Sequence, residues 1–246
     1  MTRSMLGLMA IVIASAPAAA QNKPEEVVNK AIQAHGGITV LKKFPAGMSK
    51  IAGKVSLNGM DFPYSGSLVF TIPGRVRSEM TMKTPGQNVT VVQVVNGDKV
   101  HQTENGRKSQ LDEPVQRELR ESAVIQEMSL LYPLLDTAKY TLVAEADVPV
   151  GGEDAAVIVV QSKGLKDTRL FFDRKAGRLV AMQRRGLDPN QKAVDEVTTF
   201  SDYKTIDGLV VPMKSKVTHD GKPFLEIIVA EYKPLEKVDD KPFMIE

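Results

Sequence analysis

The chain has 246 residues, with no cysteine or tryptophan, and carries a formal charge of +2 from 32 basic and 30 acidic side chains. Without cysteine there is no disulfide framework, no thiolate for catalysis or metal binding, and no lipobox cysteine to acylate. Basic and acidic residues alternate and form no stripe, so nucleic acid is not an expected partner, and no Lys/Arg cluster is large enough to draw the chain to an anionic membrane.

Residues 1–20 have the layout of a cleavable export signal: Arg3, an apolar stretch from Met5 to Ala16, then Ala18-Ala19-Ala20 before Gln21. Cleavage is expected near Ala20/Gln21, with a periplasmic product. The apolar stretch is shorter than the roughly 20 residues that span a bilayer. Residues 21–246 are expected to form a single domain, because no Pro/Ser-rich linker or charge block divides them. Asn22, Pro24, Glu25 and Glu26 start a short helix that places Val27, Val28, Ala31 and Ile32 at helical spacing and stops at Gly36-Gly37.

From Met48 onward the hydrophobic period changes to two. The alternation predicts strands near 50–57, 65–72, 75–83, 88–95, 98–103, 139–146, 154–162, 167–173, 178–185, 193–203, 209–218 and 223–232. Asn58-Gly59, Asn96-Gly97, Asn105-Gly106, Asp207-Gly208 and Asp220-Gly221 favour tight antiparallel reversals, because Asn, Asp and Gly tolerate the positive φ that type I′ turns need. About a dozen strands are too many for one flat sheet, so a strongly curved, open antiparallel β-barrel is expected, mainly β with some helix (α+β). Leu68, Phe70 and Ile72 share one face, as do Val76, Met80 and Met82, while Arg75, Arg77, Glu79 and Lys83 point the other way. The methionines fit ordinary core filling or a surface that repacks around apolar guests.

One helical run, residues 112–135, interrupts the strands. Asp112 is its N-cap and Pro114 lies in its first turn. Val115, Leu119, Ser122/Ala123 and Gln126 mark one row, and Val124, Met128, Leu131 and Leu135 a neighbouring one. Two readings stand: a helix closing the end of a filled core, or a lid over a hydrophobic hollow.

Signatures of catalysis are sparse. His35, His101 and His219 are scattered, with no Cys, His or carboxylate at ligand spacing. No G-x-S-x-G elbow, Walker A loop or G-x-G-x-x-G turn occurs. Ser201-Asp202-Tyr203-Lys204 fits S-x-x-K, but at a strand end and without the companion motifs. Adjacent carboxylates at Glu25-Glu26 and Asp239-Asp240 suit solvent or helix caps more than a calcium loop. No enzymatic activity, metal or cofactor is expected, and Ser201 with Lys204 is the sole catalytic alternative.

Three stretches and their order carry a resemblance: Gly66 to Arg77, Val94 to Val100, and Leu170 to Met182 with Asp173, Gly177 and Leu179. Tyr203 followed by Asp207-Gly208-Leu209-Val210-Val211-Pro212 adds to it, as does the final Asp-Asp-Lys-Pro-Phe. From Val27 to Glu246 the chain resembles the LolA/LolB-like periplasmic lipoprotein carriers and their uncharacterised outer-membrane lipoprotein-sorting-like relatives. The resemblance implies a LolA-like open barrel with a helical lid, and an exported, non-enzymatic binder of lipid or lipoprotein acyl chains. The implied protein is a monomeric carrier or chaperone that meets a membrane transporter or receptor. An envelope-stress sensor using the same cavity and a membrane protein partner is the alternative. On this reading the cavity is formed by Leu68, Phe70, Ile72, Val76, Met80 and Met82, with Val124, Met128 and Leu131 from the lid. The dedicated carriers have an arginine latch directly before the strand-ending proline, where this chain has Ile72. Closure is therefore expected to rest on apolar packing by Val124, Met128 and Leu131.

Overall fold

The computed structural model describes residues 23–245. The expected export signal lies outside them. Helix α1 (Pro24–Ala34) buries Val27, Val28, Ala31 and Ile32, and Gly36 and Gly37, at φ 117° and 83°, end it in conformations open to glycine. A short α2 (Ile38–Lys43) follows.

The first strands are β1 (Ala46–Leu57), β2 (Met60–Thr71), β3 (Arg75–Thr84), β4 (Gln87–Asn96), β5 (Lys99–Glu104) and β6 (Arg107–Lys108). After helix α3 (Glu113–Met128) come β7 (Thr141–Val150), β8 (Glu153–Gln161), β9 (Thr168–Asp173) and β10 (Leu179–Leu187). The last are β11 (Ala193–Ile206), β12 (Leu209–His219) and β13 (Lys222–Leu235). All the strands expected from the alternation are present, and the additional one is the two-residue β6. They form one 13-stranded antiparallel sheet in the order β6-β5-β4-β3-β2-β1-β13-β12-β11-β10-β9-β8-β7. The sheet is curled but not closed, with β6 and β7 as its two edges.

Four of the five turn dipeptides adopt positive φ at both residues, as a type I′ reversal requires. The fifth differs. Asn96 remains in β4 opposite Lys99, so Gly97 and Asp98 are the turn residues, and only Gly97 has positive φ (59°), the pattern of a type II′ turn. The Asn96 side-chain amide is thereby free to donate to the Phe243 carbonyl at 3.2 Å. That bond helps seat the C-terminal 3₁₀ turn, Lys241–Phe243, whose Phe243 is fully buried.

Two cross-strand pairs drive the curl. On the concave face Gly47 lies opposite Phe70, and Gly53 opposite Tyr64. A Cβ on Gly53 would stand 1.8 Å from the Glu226 carbonyl oxygen, and one on Gly66 only 2.0 Å from the Glu79 carbonyl oxygen. Neighbouring backbones fold into the space that side chains would otherwise hold open, which bends the sheet. Tyr64 lies over Gly53 and donates to the Glu226 carbonyl at 3.1 Å, tying β2 across β1 to β13.

The concave face is half filled. Val28, Ile32, Leu41, Leu131 and Leu134 pack onto Ile158, Val160, Leu170, Phe172 and Met182, so α1, α2 and the segment after α3 cover β8 to β10. His35 fastens this cover. Its Nδ1–H donates to the Val210 carbonyl (2.9 Å), and its Nε2 accepts from the Leu179 N–H (3.2 Å), an arrangement that needs a neutral ring.

Gly53→Ala should cost roughly 1–3 kcal/mol or more through overpacking against backbone, seen as a lower urea midpoint with an unchanged slope. An unchanged midpoint would remove the close approach as the source of curvature. Burial, opposed by the Val210 hydrogen bond and aided by Arg178, lowers the His35 pKa from 6.5 to about 4. Because the folded value is depressed, this contribution is whole above pH 6.5 and is lost as pH falls toward 4, about 3 kcal/mol in all. Urea titrations between these pH values should show that loss in the wild type and a correspondingly smaller one in His35→Gln.

Candidate functional site

Where α1 and α2 do not reach, a hollow of about 320 Å³ lies between the sheet and α3. Its floor is Ile51 of β1, Leu68 and Phe70 of β2, Phe200 of β11, and Ile227 and Val229 of β13. Ser122, Ile125, Gln126, Ser129 and Leu130 form the roof, and His35, Leu41 and Leu209 one end. Ser49, Thr198 and Ser215 also lie on the floor. Their short side chains leave the floor low. The hollow runs along β12 from Leu209 to Val217, about 26 Å at strand rise. No helix among the described residues is long and apolar enough to cross a membrane.

Of the residues singled out from sequence, Leu68 and Phe70 line the hollow. Val76, Met80 and Met82 lie on β3 opposite Phe70, Gly66 and Tyr64, on the same concave face but outside the hollow. Ile72 sits in the turn after β2, its N–H donating to the Pro45 carbonyl at 3.1 Å. Met128 and Leu131 are buried in the filled half of the core, with Val124 packed against them. The roof is thus the neighbouring helical row, Ser122, Ile125, Gln126 and Ser129. Ile51, Ile227 and Val229 were not singled out. They alternate correctly within their strands, but placing them beside Leu68 required the β2-β1-β13 pairing. Ser201 and Lys204 stand exposed on β11, on either side of Asp202, whose positive φ (56°) marks a bulge. The pairing resumes with Tyr203 opposite Pro212, and Tyr203 lines the hollow while Ser201 and Lys204 do not.

The helical run expected over 112–135 is broken. Asp112 caps α3 by accepting from the Val115 N–H at 3.2 Å, as predicted, but α3 ends at Met128. Leu131 then takes φ 64°, ψ −48°, while the Tyr132 N–H donates to the Leu130 carbonyl at 2.7 Å. This is the rarer, strained hand of γ-turn. A 3₁₀ turn, Tyr132–Leu135, follows.

Apolar packing is only part of what holds α3, contrary to the expectation drawn from Ile72. A different arginine, Arg184 of β10, pairs with Glu118 of α3 at 2.6 Å and with Glu196 of β11 at 2.8 Å. His219 of β12 contacts the other Glu196 oxygen at 3.2 Å and stacks on Phe224. Burial opposes the Arg184 charge, but Glu196 and Glu118 outweigh it and hold its pKa above the ordinary arginine value. One turn on, buried Glu121 lies 4.0 Å from the Lys166 ammonium. Glu127, also buried, accepts from Lys139 and from Tyr140 Oη. On the far side, the Arg120 guanidinium reaches the Asp98 carbonyl at the β4–β5 turn (3.4 Å), so the helix bridges the two arms of the curled sheet.

No protein-family model matches the chain, and no curated protein matches it in sequence. Solved structures do match in fold. A LolA superfamily protein from Nitrosomonas europaea is 10% identical with a TM-score of 0.59, covering 90% of this chain and 97% of that one. A DUF1329 family protein from Desulfovibrio piger is 12% identical with a TM-score of 0.57, covering 90% and 97%. An outer membrane lipoprotein-sorting protein domain from Vibrio parahaemolyticus is 12% identical with a TM-score of 0.55, covering 89% and 94%. The chain therefore has the LolA-like fold.

Arg184→Met should leave Glu118 and Glu196 facing each other without their cation and cost about 3 kcal/mol. Amide exchange measured by mass spectrometry should accelerate in residues 113–128 more than in β8. Uniform acceleration, or none, would show that Arg184 does not hold the helix.

Proposed function

We propose that this protein is an exported, non-enzymatic binder of lipid or lipoprotein acyl chains that shields them from water in the bacterial periplasm. The observation that carries this reading is the hollow itself, an apolar-walled space beneath a helix held by a discrete ion cluster. Burying a methylene gains about 0.8 kcal/mol, so a single acyl chain supplies enough free energy to offset displacement of a lid. The residue pattern of the first twenty positions supports export, and the fold shared with a lipoprotein-sorting domain supports the ligand class. A fold by itself does not fix a function; the site does. Leu68 and Phe70 contact the chain in the closed state. Val76, Met80 and Met82 continue the same concave face and become an extension when α3 moves.

Protein purified from its native compartment should carry lipid in native mass spectrometry, and acyl probes should compete for the hollow. Leu68→Arg, which places a charge in the floor, should abolish both while the fold persists by circular dichroism. An empty protein that no acyl probe enters would sink the proposal. Recovery of a stable membrane-protein partner without lipid would favour the sensor reading instead.

A further inference from the structure

The floor of the hollow is not uniformly apolar. Ser49 of β1, Thr198 of β11, Ser215 of β12 and Tyr232 of β13 all line it, and their hydroxyls make no hydrogen bond to other groups among the described residues. Ser49 is 5% exposed. Burial pushes the Tyr232 phenol up to about 12, so it remains a neutral donor at physiological pH. The hydroxyls fall in two pairs. Ser49 and Tyr232 are direct cross-strand partners. Thr198 is diagonal to Ser215, since Phe200 is the residue facing Ser215. Ile227 and Val229 lie between the pairs on β13. In the roof, the Gln126 amide nitrogen donates to Ser129 Oγ at 3.3 Å, while its carbonyl oxygen has no donor among the described residues.

Room alone does not account for this chemistry. Alanine would keep the floor as low as serine does, and phenylalanine would fill the tyrosine site, without placing on the floor polar groups that a bound chain would cut off from water. A plain hydrocarbon chain entering the hollow displaces any water serving these hydroxyls and offers nothing in return. Leaving a buried donor or acceptor unmade costs more than making the bond gains. A ligand with oxygen along its apolar body satisfies the same groups.

We propose that the preferred ligand is an aliphatic lipid whose chain itself carries hydroxyl or carbonyl oxygen, bound between the Ser49/Tyr232 and Thr198/Ser215 pairs. This rests on the reading of the hollow as a lipid site and narrows it to oxygenated chains.

The test is displacement of a fluorescent polyene fatty acid from the mature protein by octadecanoic acid and by its 3-, 9- and 12-hydroxy derivatives. At least one hydroxy acid should displace the probe at roughly five- to tenfold lower concentration than the plain acid, the factor expected of one additional hydrogen bond. The Ser49→Ala/Tyr232→Phe double variant should bring the hydroxylated and plain acids to parity. If that variant misfolds, Thr198→Val/Ser215→Ala serves the same purpose at the other pair. Equal displacement by plain and hydroxylated chains, or a preference that survives in both double variants, overturns the inference and leaves the lipid reading standing. Failure of every chain to displace, with no probe bound, overturns both.

Discussion

Where β1 lies against β2, Phe70 and Tyr64 fold over Gly47 and Gly53, and the backbones of β13 and β3 close in on Gly53 and Gly66 to distances that no side chain would permit. These contacts turn a 13-stranded ribbon into a trough. Everything functional follows from the trough having more concave surface than its helices cover. The first helices and the segment after α3 fill one half with a conventional apolar core. The other half, floored by β1, β2 and β11 to β13, remains hollow beneath α3. A flatter sheet would let the helix settle onto the floor, and a closed barrel would leave it no seat.

The helix is suited to cover a space without filling it. Its inward surface carries Glu118, Glu121 and Glu127 beside Ile125 and Met128, and each glutamate faces a cation: Arg184 on β10, Lys166 in the β8–β9 loop and Lys139 in the turn before β7. Such pairs orient a helix more than they stabilise it, because the desolvation of both charges offsets much of their attraction. Arg184 links α3 to β10, β11 and, through Glu196, to His219 of β12. At the other end of the helix, the γ-turn at Leu131 holds a bulky residue in a conformation that the surrounding core must enforce. The cover is thus tied by charge along its length and, at its C-terminal end, by packing as well.

The polar groups with a chemical precedent lie outside the hollow or are already bonded. The one sequence pair with a catalytic precedent, Ser201 and Lys204, lies outside the hollow. The histidine within it, His35, has both ring nitrogens committed to backbone partners. The remaining lining groups are apolar side chains, hydroxyls and the Gln126 amide.

Local physics made much of this legible in the sequence. Period-two alternation and Asn-Gly or Asp-Gly turns specify the strands and their sequential antiparallel pairing, because both signals depend only on residues close in the chain. The face shared by Leu68 and Phe70 was legible for the same reason, as were the Asp112 cap and the apolar side of α1. Three things depended on contacts between distant segments. Residues such as Ile51, Ile227 and Val229 became one floor only when β13 paired with β1, which no local pattern encodes. Which row of α3 faces the hollow was the second, because Met128 and Leu131 are drawn into the filled core while Ser122, Ile125, Gln126 and Ser129 turn toward the hollow, a division set by contacts with segments far along the chain. The emptiness of the hollow was decided last, by where α1, α2 and α3 come to rest on a curved sheet. Sequence by itself determined the strands, the turns and the apolar face, since each minimises free energy locally. The hollow is a difference between two curved surfaces, and only the tertiary structure sets both.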